Sequence, residues 1–232
     1  MTKKSISVFL PTRKGSQRVK NKNTRKFSNF EGGLLELKLT QLLEVSMVEE
    51  IVLSTNDPLS IEIGQKIRQN HEKVRIVKRP DSLSSNNTDL IDLINYVPEI
   101  CKSNHILWTH VTSPFVTASD YELAINYYYK ALESGYDSLM SVKRFQNFLW
   151  SKKKNDIINR DSNDKWPKTQ ELQELYEIDS AFFITSRAIY INDSDRIGRK
   201  PELFIQDNFK SFDIDWEDDF ELAQFIYNKK FL

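Results

Sequence analysis

Short apolar runs alternate in this chain with segments of helical period, and that alternation is what most constrains its fold. Val8, Phe9 and Leu10 follow one another without a polar break, as in a strand covered on both faces; Glu50 to Thr55 also reads as a buried strand, and Val74 to Val77 as a short one. Between them, Leu35, Leu39, Leu42 and Leu43 recur at helical spacing within residues 34–46. Pro58 then opens a second helix, to about Asn70, that turns Ile63 and Ile67 inward. Strand, helix, strand, helix, strand is the order from which parallel sheets are built. The expectation is an α/β fold with a three-layer, Rossmann-like, mainly parallel sheet.

The same pattern continues with one interruption. A turn-rich loop at 80–87 precedes a helix over about 88–102, whose Leu90, Leu93, Ile94 and Val97 share a face and which Pro98 kinks or ends early. Ile106, Leu107 and Trp108 begin a strand that runs into the polar stretch 109–115. Ser119 and Glu122 have capping-box spacing for a helix through Leu123, Tyr127 and Leu132 to a stop at Gly135. Asp137 to Val142 is strand-like, but over about 143–179 the alternation is lost, which marks an insertion. Ser180 to Ile184 resumes as a strand, 189–199 is a loop, and short strands at 203–206 and 211–215 precede a terminal helix from about Glu217. At 232 residues the expectation is one domain with that insertion.

Charge is distributed less evenly than structure. The whole chain balances 33 Lys and Arg against 33 Asp and Glu, yet from Arg13 to Lys26 there are seven basic residues and no acidic one. This block leaves the carboxyl end of the first strand, where open α/β sheets bind ligands. Gly15 and Ser16 let backbone N–H groups turn toward phosphate oxygens, while Arg13, Lys14, Arg18 and Lys22 supply charge. A solvated basic loop is the other reading. Neither a G-x-x-x-x-G-K-[ST] loop nor a G-x-G-x-x-G fingerprint is present, which disfavours a kinase or a dehydrogenase. Near the other end, Asp213 and Asp215 are one residue apart, so on a strand both carboxylates project from one face and can share a hard divalent cation. Asp215 also has a second reading as N-cap of the last helix, with Asp218 three residues on.

Pro11, Arg13, Gly15, Ser16, Arg18, Lys22 and Asn23 fall in a Pro-x-Arg-x-Gly-Ser-x-Arg-x-x-x-Lys-Asn pattern. This resembles the signature of the CMP-N-acetylneuraminate synthetase (acylneuraminate cytidylyltransferase) family. Arg79-Pro80 with Leu83, Thr112-Ser113-Pro114 and the Asp213–Asp219 stretch are similar to further family elements, so the resemblance spans residues 6 to about 226. It implies a nucleotide-diphospho-sugar transferase type of sheet and a cytidylyltransferase that joins CTP to a 2-keto sugar acid, giving a CMP-sugar and pyrophosphate. It also implies that Arg13, Gly15, Ser16, Arg18 and Lys22 hold the triphosphate, with Asn23 and Arg79 near the base and ribose. Asp213 and Asp215 would bind Mg2+, or Mn2+ in its place, and Lys22, Arg13 and Asp215 would carry the catalysis. The acceptor side would comprise His110, Thr112, Ser113, Lys168, Gln170 and Asp179, and the 143–179 segment would help form a homodimer, with Trp150 and Trp166 facing the partner. Departures lie on that side: His110 for the family's Gln, Val111 for Pro, Lys168-Thr169-Gln170 for Arg-Arg-Gln, and Asp179-Ser180-Ala181 for Asn-Gly-Ala.

His110 has a second reading, as a hydrogen-bonded core residue. The rival functions are a related nucleotidyltransferase for a Kdo-type sugar or a phosphorylated small molecule, and a non-catalytic nucleotide-binding module. Cys101 is alone, so disulfides and cysteine metal clusters within the chain are excluded and a reducing, cytoplasmic setting is expected. The apolar run at the N-terminus is too short for a signal-peptide core or a membrane span. A balanced charge argues against nucleic-acid partners.

Overall fold

In the computed structural model, residues 5–85, 87–161 and 164–231 are described. Asn86 of the expected turn-rich loop, and residues 162–163 of the expected insertion, lie outside them. The chain begins with strand β1 (Ile6–Pro11), helix α1 (Gly33–Leu43), strand β2 (Val48–Thr55), helix α2 (Pro58–Arg68) and strand β3 (Val74–Lys78). Helix α3 (Leu90–Ile100), strand β4 (His105–Thr109), helix α4 (Ala118–Glu133) and strand β5 (Ser138–Phe145) follow. A two-stranded ribbon, β6 (Trp150–Ser151) and β7 (Asp156–Ile157), precedes strand β8 (Leu175–Ser186), helix α5 (Arg187–Asp193), strand β9 (Pro201–Gln206) and helix α6 (Glu217–Lys230).

Seven strands form one sheet in the order β3-β2-β1-β4-β8-β5-β9. All its pairings are parallel except those of β8, which runs antiparallel to β4 and to β5. On one face, Val8, Leu10, Leu53, Leu107 and Ile184 pack with Leu35 and Leu39 of α1, Tyr121 and Ile125 of α4, and Phe220 and Ala223 of α6. On the other, Phe9, Val52, Trp108 and Phe183 pack with Ile94 and Val97 of α3 and Tyr190 of α5. Burial on both faces explains the unbroken apolar runs, and each fully buried aliphatic or aromatic side chain contributes about 1.5–3 kcal/mol. The three-layer, mainly parallel sheet read from the sequence is the one found. The order of strands reverses direction between β1 and β4, which opens a crevice above their carboxyl ends. Among the described residues no helix is long and apolar enough to cross a membrane.

Four local expectations change. The cap of α4 is Thr117, whose N–H donates to Asp120 at 3.0 Å, while Glu122 accepts from the Ser46 N–H and hydroxyl instead. Residues 189–199 are not all loop, because α5 extends to Asp193 and fills the α3 side of the sheet with Tyr190. Pro98 sits inside α3, which ends at Ile100, two residues short of the expected bound. Residues 211–215 form no strand: Ile214 N–H donates to Thr112 O in the loop after β4 at 3.0 Å, a backbone hydrogen bond that stands in place of a ladder.

Candidate active site

The loop after β1 is held at both ends. Val19 is buried in the core, Lys14 N–H donates to Asn56 Oδ1 at 3.0 Å, and Leu35 N–H donates to Asn23 O at 2.9 Å. Gly15 takes φ +84°, which frees the backbone to turn. Gly33 is required by close approach, since a Cβ there would stand 2.2 Å from Arg25 O. Between these anchors the basic side chains surround a cleft of about 420 Å³, lined by Arg13, Ser16, Arg18, Lys22, Asn23 and Arg79, with Trp108, His110 and Thr112 opposite. Gly15 lines a smaller hollow of about 230 Å³ on the α2 side of the same loop.

The acidic segment meets the basic loop directly. Lys22 Nζ donates to Ile214 O at 2.6 Å and stands 3.9 Å from Asp215 Oδ1, and Arg18 donates to the same carboxylate oxygen at 2.7 Å. Burial lowers the Lys22 ammonium, and Asp213 and Asp215 oppose that shift. Burial raises the Asp213 carboxyl and the charge of Asp215 adds to it, while the Thr112 hydroxyl, hydrogen-bonded to Asp213, and Lys22 act the other way. Helix α6 is capped one residue later than the second reading of Asp215 required. Asp219 Oδ2 accepts from Trp216 N–H at 2.7 Å and from Asp215 N–H at 3.0 Å, so the Asp215 carboxylate is not the cap.

Arg79 reaches the cleft from the end of β3, nearly fully buried, and one of its terminal nitrogens donates to Thr12 O. Burial and the Arg13 guanidinium lower it to about 10, so it stays charged at neutral pH. Its Nε is buried without an acceptor, a donor that a ligand oxygen in the cleft would satisfy.

The acceptor-side residues divide. His110, Thr112 and Ser113 stand at or just after the end of β4, but both ring nitrogens of His110 are already used. Trp108 Nε1–H donates to its Nε2 at 2.9 Å, which leaves the proton on Nδ1, the atom 2.7 Å from Ser180 O. Ser180 has φ +59°, a left-handed residue where the family pattern has Gly. The two departures from the pattern are thus coupled, the histidine gripping the carbonyl of a backbone turn that glycine would make at lower cost. Asp179 is buried against its own neighbours, accepting from Ser141, Ala181 N–H at 3.0 Å and Gln206 at 2.7 Å. Lys168 and Gln170 are exposed on a short 3-10 turn and do not line the cleft of their own chain.

The clip at His110 makes stability depend on acidity. Burial lowers its pKa from the ordinary 6.5 to about 4, and Arg196 and Lys22 add to the shift while the bond to Ser180 opposes it. Between those values the unfolded chain takes up a proton that the folded chain refuses. Stability from this residue is therefore complete above pH 6.5 and is lost as pH falls toward 4, on the order of 3 kcal/mol in all. His110→Gln should flatten the fall of Tm across that window, and equal slopes for variant and wild type would refute the assignment.

Sequence reasoning missed Lys38, which is wholly buried in α1 beneath the loop after β4. Its position three residues after Leu35 and four before Leu42 was the available signal, because that spacing puts it on the core face.

Two carboxylates beside a cluster of cations above the carboxyl ends of β1 and β4 suit a nucleotide carried with a divalent ion. Among the described residues no group of three or more His, Cys, Asp or Glu is placed to hold a metal. The pair Asp213 and Asp215 nonetheless fits Mg2+, which takes one or two protein carboxylates and completes its shell with water and substrate phosphate. Comparison with known proteins decides the class, for the family model described as cytidylyltransferase matches residues 7–232. The chain belongs to the cytidylyltransferase family.

That makes it a CTP-using nucleotidyltransferase. Among curated members it is 23% identical over 231 residues to the post-translational flagellin modification protein B of Campylobacter coli, covering 97% of this chain and 96% of that one. It is 25% identical to the N-acylneuraminate cytidylyltransferase of Escherichia coli O18:K1:H7, covering 97% of this chain and 52% of that longer protein. Two solved structures share the fold at a TM-score of 0.66. They are 4-diphosphocytidyl-2C-methyl-D-erythritol synthase from Anaerococcus prevotii, at 13% identity with 97% and 96% of the chains covered, and CMP:2-keto-3-deoxy-manno-octonic acid synthetase complexed with CTP, at 11% with 97% and 99%.

Proposed function

We propose that this cytidylyltransferase activates a 2-keto sugar acid of the nonulosonate kind, other than plain N-acetylneuraminate, as its CMP derivative. One observation carries the reading: a loop of cations and a pair of aspartates, far apart in the chain, meet at Lys22, 2.6 Å from Ile214 O, beside a cleft of about 420 Å³. That volume lies in the usual range of small-molecule sites, roughly 300–1,000 Å³.

In the reaction a hydroxyl oxygen of the sugar acid forms a bond to the α-phosphorus of CTP. The bond from that phosphorus to the bridging oxygen breaks, pyrophosphate leaves with its electron pair, and the hydroxyl proton passes to water. Arg13, Ser16 and Lys22 hold the triphosphate and meet the charge that grows on it, and Arg79 with Asn23 fixes the nucleoside. Asp213 and Asp215 would hold Mg2+, which when bound polarises the phosphate oxygens. The sugar acid enters on the side of Trp108 and Thr112. With both nitrogens of His110 occupied, this residue shapes the wall and does not exchange protons with the substrate.

A sugar-acid acceptor is supported by the relative named for N-acylneuraminate, while the relative named for flagellin modification leaves the acceptor open. A Kdo-type acid is the second reading, favoured by the likeness to the CMP:2-keto-3-deoxy-manno-octonic acid synthetase fold. Pyrophosphate release measured with CTP and a panel of 2-keto sugar acids separates them. The expected result is turnover with a nonulosonate at a kcat/KM above that for N-acetylneuraminate. Preference for N-acetylneuraminate or for Kdo would overturn the acceptor assignment, and CTP binding without release on any acid would favour a non-catalytic module.

A further inference from the structure

Lys38 is a basic residue set wholly within the core. Its side chain is wholly buried, where an ammonium costs several kcal/mol unless its hydrogens are met. Burial lowers it to about 7, with Asp120 opposing. Its hydrogens are met by the turn that follows β4: Nζ donates to Ser113 O at 2.8 Å and to Val116 O at 3.4 Å, and lies 2.9 Å from the Tyr121 hydroxyl. One helical turn on, Gln41 Nε2 donates to Pro114 O at 2.9 Å. Two side chains of α1 therefore grip three carbonyls of a four-residue turn from beneath.

The turn also supports the acidic segment from the sheet side. Thr112, next to Ser113, accepts from Ile214 N–H at 3.0 Å through its carbonyl and bonds Asp213 through its hydroxyl. Ile214 O in turn receives Lys22. Phe115 of the same turn stacks on Phe209 at 4.1 Å, ahead of the aspartates. We propose that Lys38 is a positioning residue, which anchors the turn after β4 and through Thr112 sets where Asp213 stands relative to Asp215 and Lys22. A leucine or methionine there would fill the space and leave the turn's carbonyls without their donors, so the amine's hydrogen bonds serve placement and not packing.

The proposal rests on the reading that Asp213 and Asp215 hold Mg2+ on the triphosphate, and calorimetric titration of CTP with and without Mg2+ tests the two separately. Wild-type protein should bind CTP more tightly with Mg2+ by a coupling of about five- to a hundredfold. Lys38→Met should bring the two dissociation constants to within about threefold of each other while leaving the metal-free value nearly unchanged, and Gln41→Ala, which removes a single carbonyl contact, should lose part of the coupling. Full coupling in both variants overturns the proposal, as does equal weakening with and without Mg2+, the mark of a merely structural role. Absence of coupling in the wild type brings down the metal reading and the proposal with it. If Lys38→Met does not fold, Gln41→Ala decides by the same comparison.

Discussion

Lys22→Ala should lower kcat by about a hundredfold or more, equivalent to roughly 2.7–4 kcal/mol of lost transition-state stabilisation. The ammonium is half-buried, donates to Ile214 O, and faces Asp213 and Asp215, so it is fixed in place before any substrate arrives. A preorganised cation acts most strongly on charge that develops during the reaction, which is why the loss belongs in kcat more than in KM. Removing it also leaves the two carboxylates with less opposing charge. Steady-state kinetics with CTP and the best acceptor of the panel read the effect, and circular dichroism monitors the fold. An unchanged kcat with a modest rise in KM for CTP would remove Lys22 from the catalytic step.

Asp215→Asn should be nearly inactive and yet folded. Its side chain does not cap α6, a role Asp219 fills, and its bridge to Arg18 is about half exposed on both sides, with side-chain accessibilities of 44% and 48%. Exposed pairs of this kind contribute about 0–1 kcal/mol, so Tm should hardly move. Activity should also vanish in excess chelator and return with Mg2+ or Mn2+. Full activity in chelator would sink the assignment of the aspartates, and loss of helical signal in the variant would show that the cap is shared after all.

Strands β1, β2 and β4 were legible because both their faces are covered, which gives the unbroken apolar runs at 8–10, 51–53 and 106–108. The edge strand β3 was read instead from Val74, Ile76 and Val77 around a partly exposed Arg75. Strands β5 and β8 were legible only in their lower halves. Above Val142 and Ile178 they pair Lys143 with Glu177 and Arg144 with Tyr176, polar or exposed residues that give no alternation to read. The basic loop and the aspartates were found from charge and spacing, and the cleft does gather Arg13, Ser16, Arg18, Lys22, Asn23 and Arg79. The geometry that brings the aspartates near Lys22 is nevertheless not the strand that spacing suggested, because Thr112 and Lys22 hold the segment in place of a ladder. His110 and Asp179 stand where the family pattern put sugar contacts, yet their hydrogen bonds are spent within the chain. Saturation of that kind depends on neighbours distant in sequence, and no local pattern encodes it.

The contacts that close the cleft join residues 192 and 197 positions apart, Lys22 with Ile214 and Arg18 with Asp215. Phe27, at the end of the basic loop, packs edge-on against Phe220 and Tyr227 of α6, each at 5.5 Å. A ribosome adding about 5–20 residues per second needs roughly 10–40 s to travel from one set of partners to the other. Throughout that interval Arg18 and Lys22 stand without the carboxylates they meet in the folded cleft, although Lys26 already has Glu31 as a partner. The basic loop of the cleft is thus among the first segments made and among the last to be completed, and a chain released before Asp213 carries the cations of the cleft without the two carboxylates that meet them there.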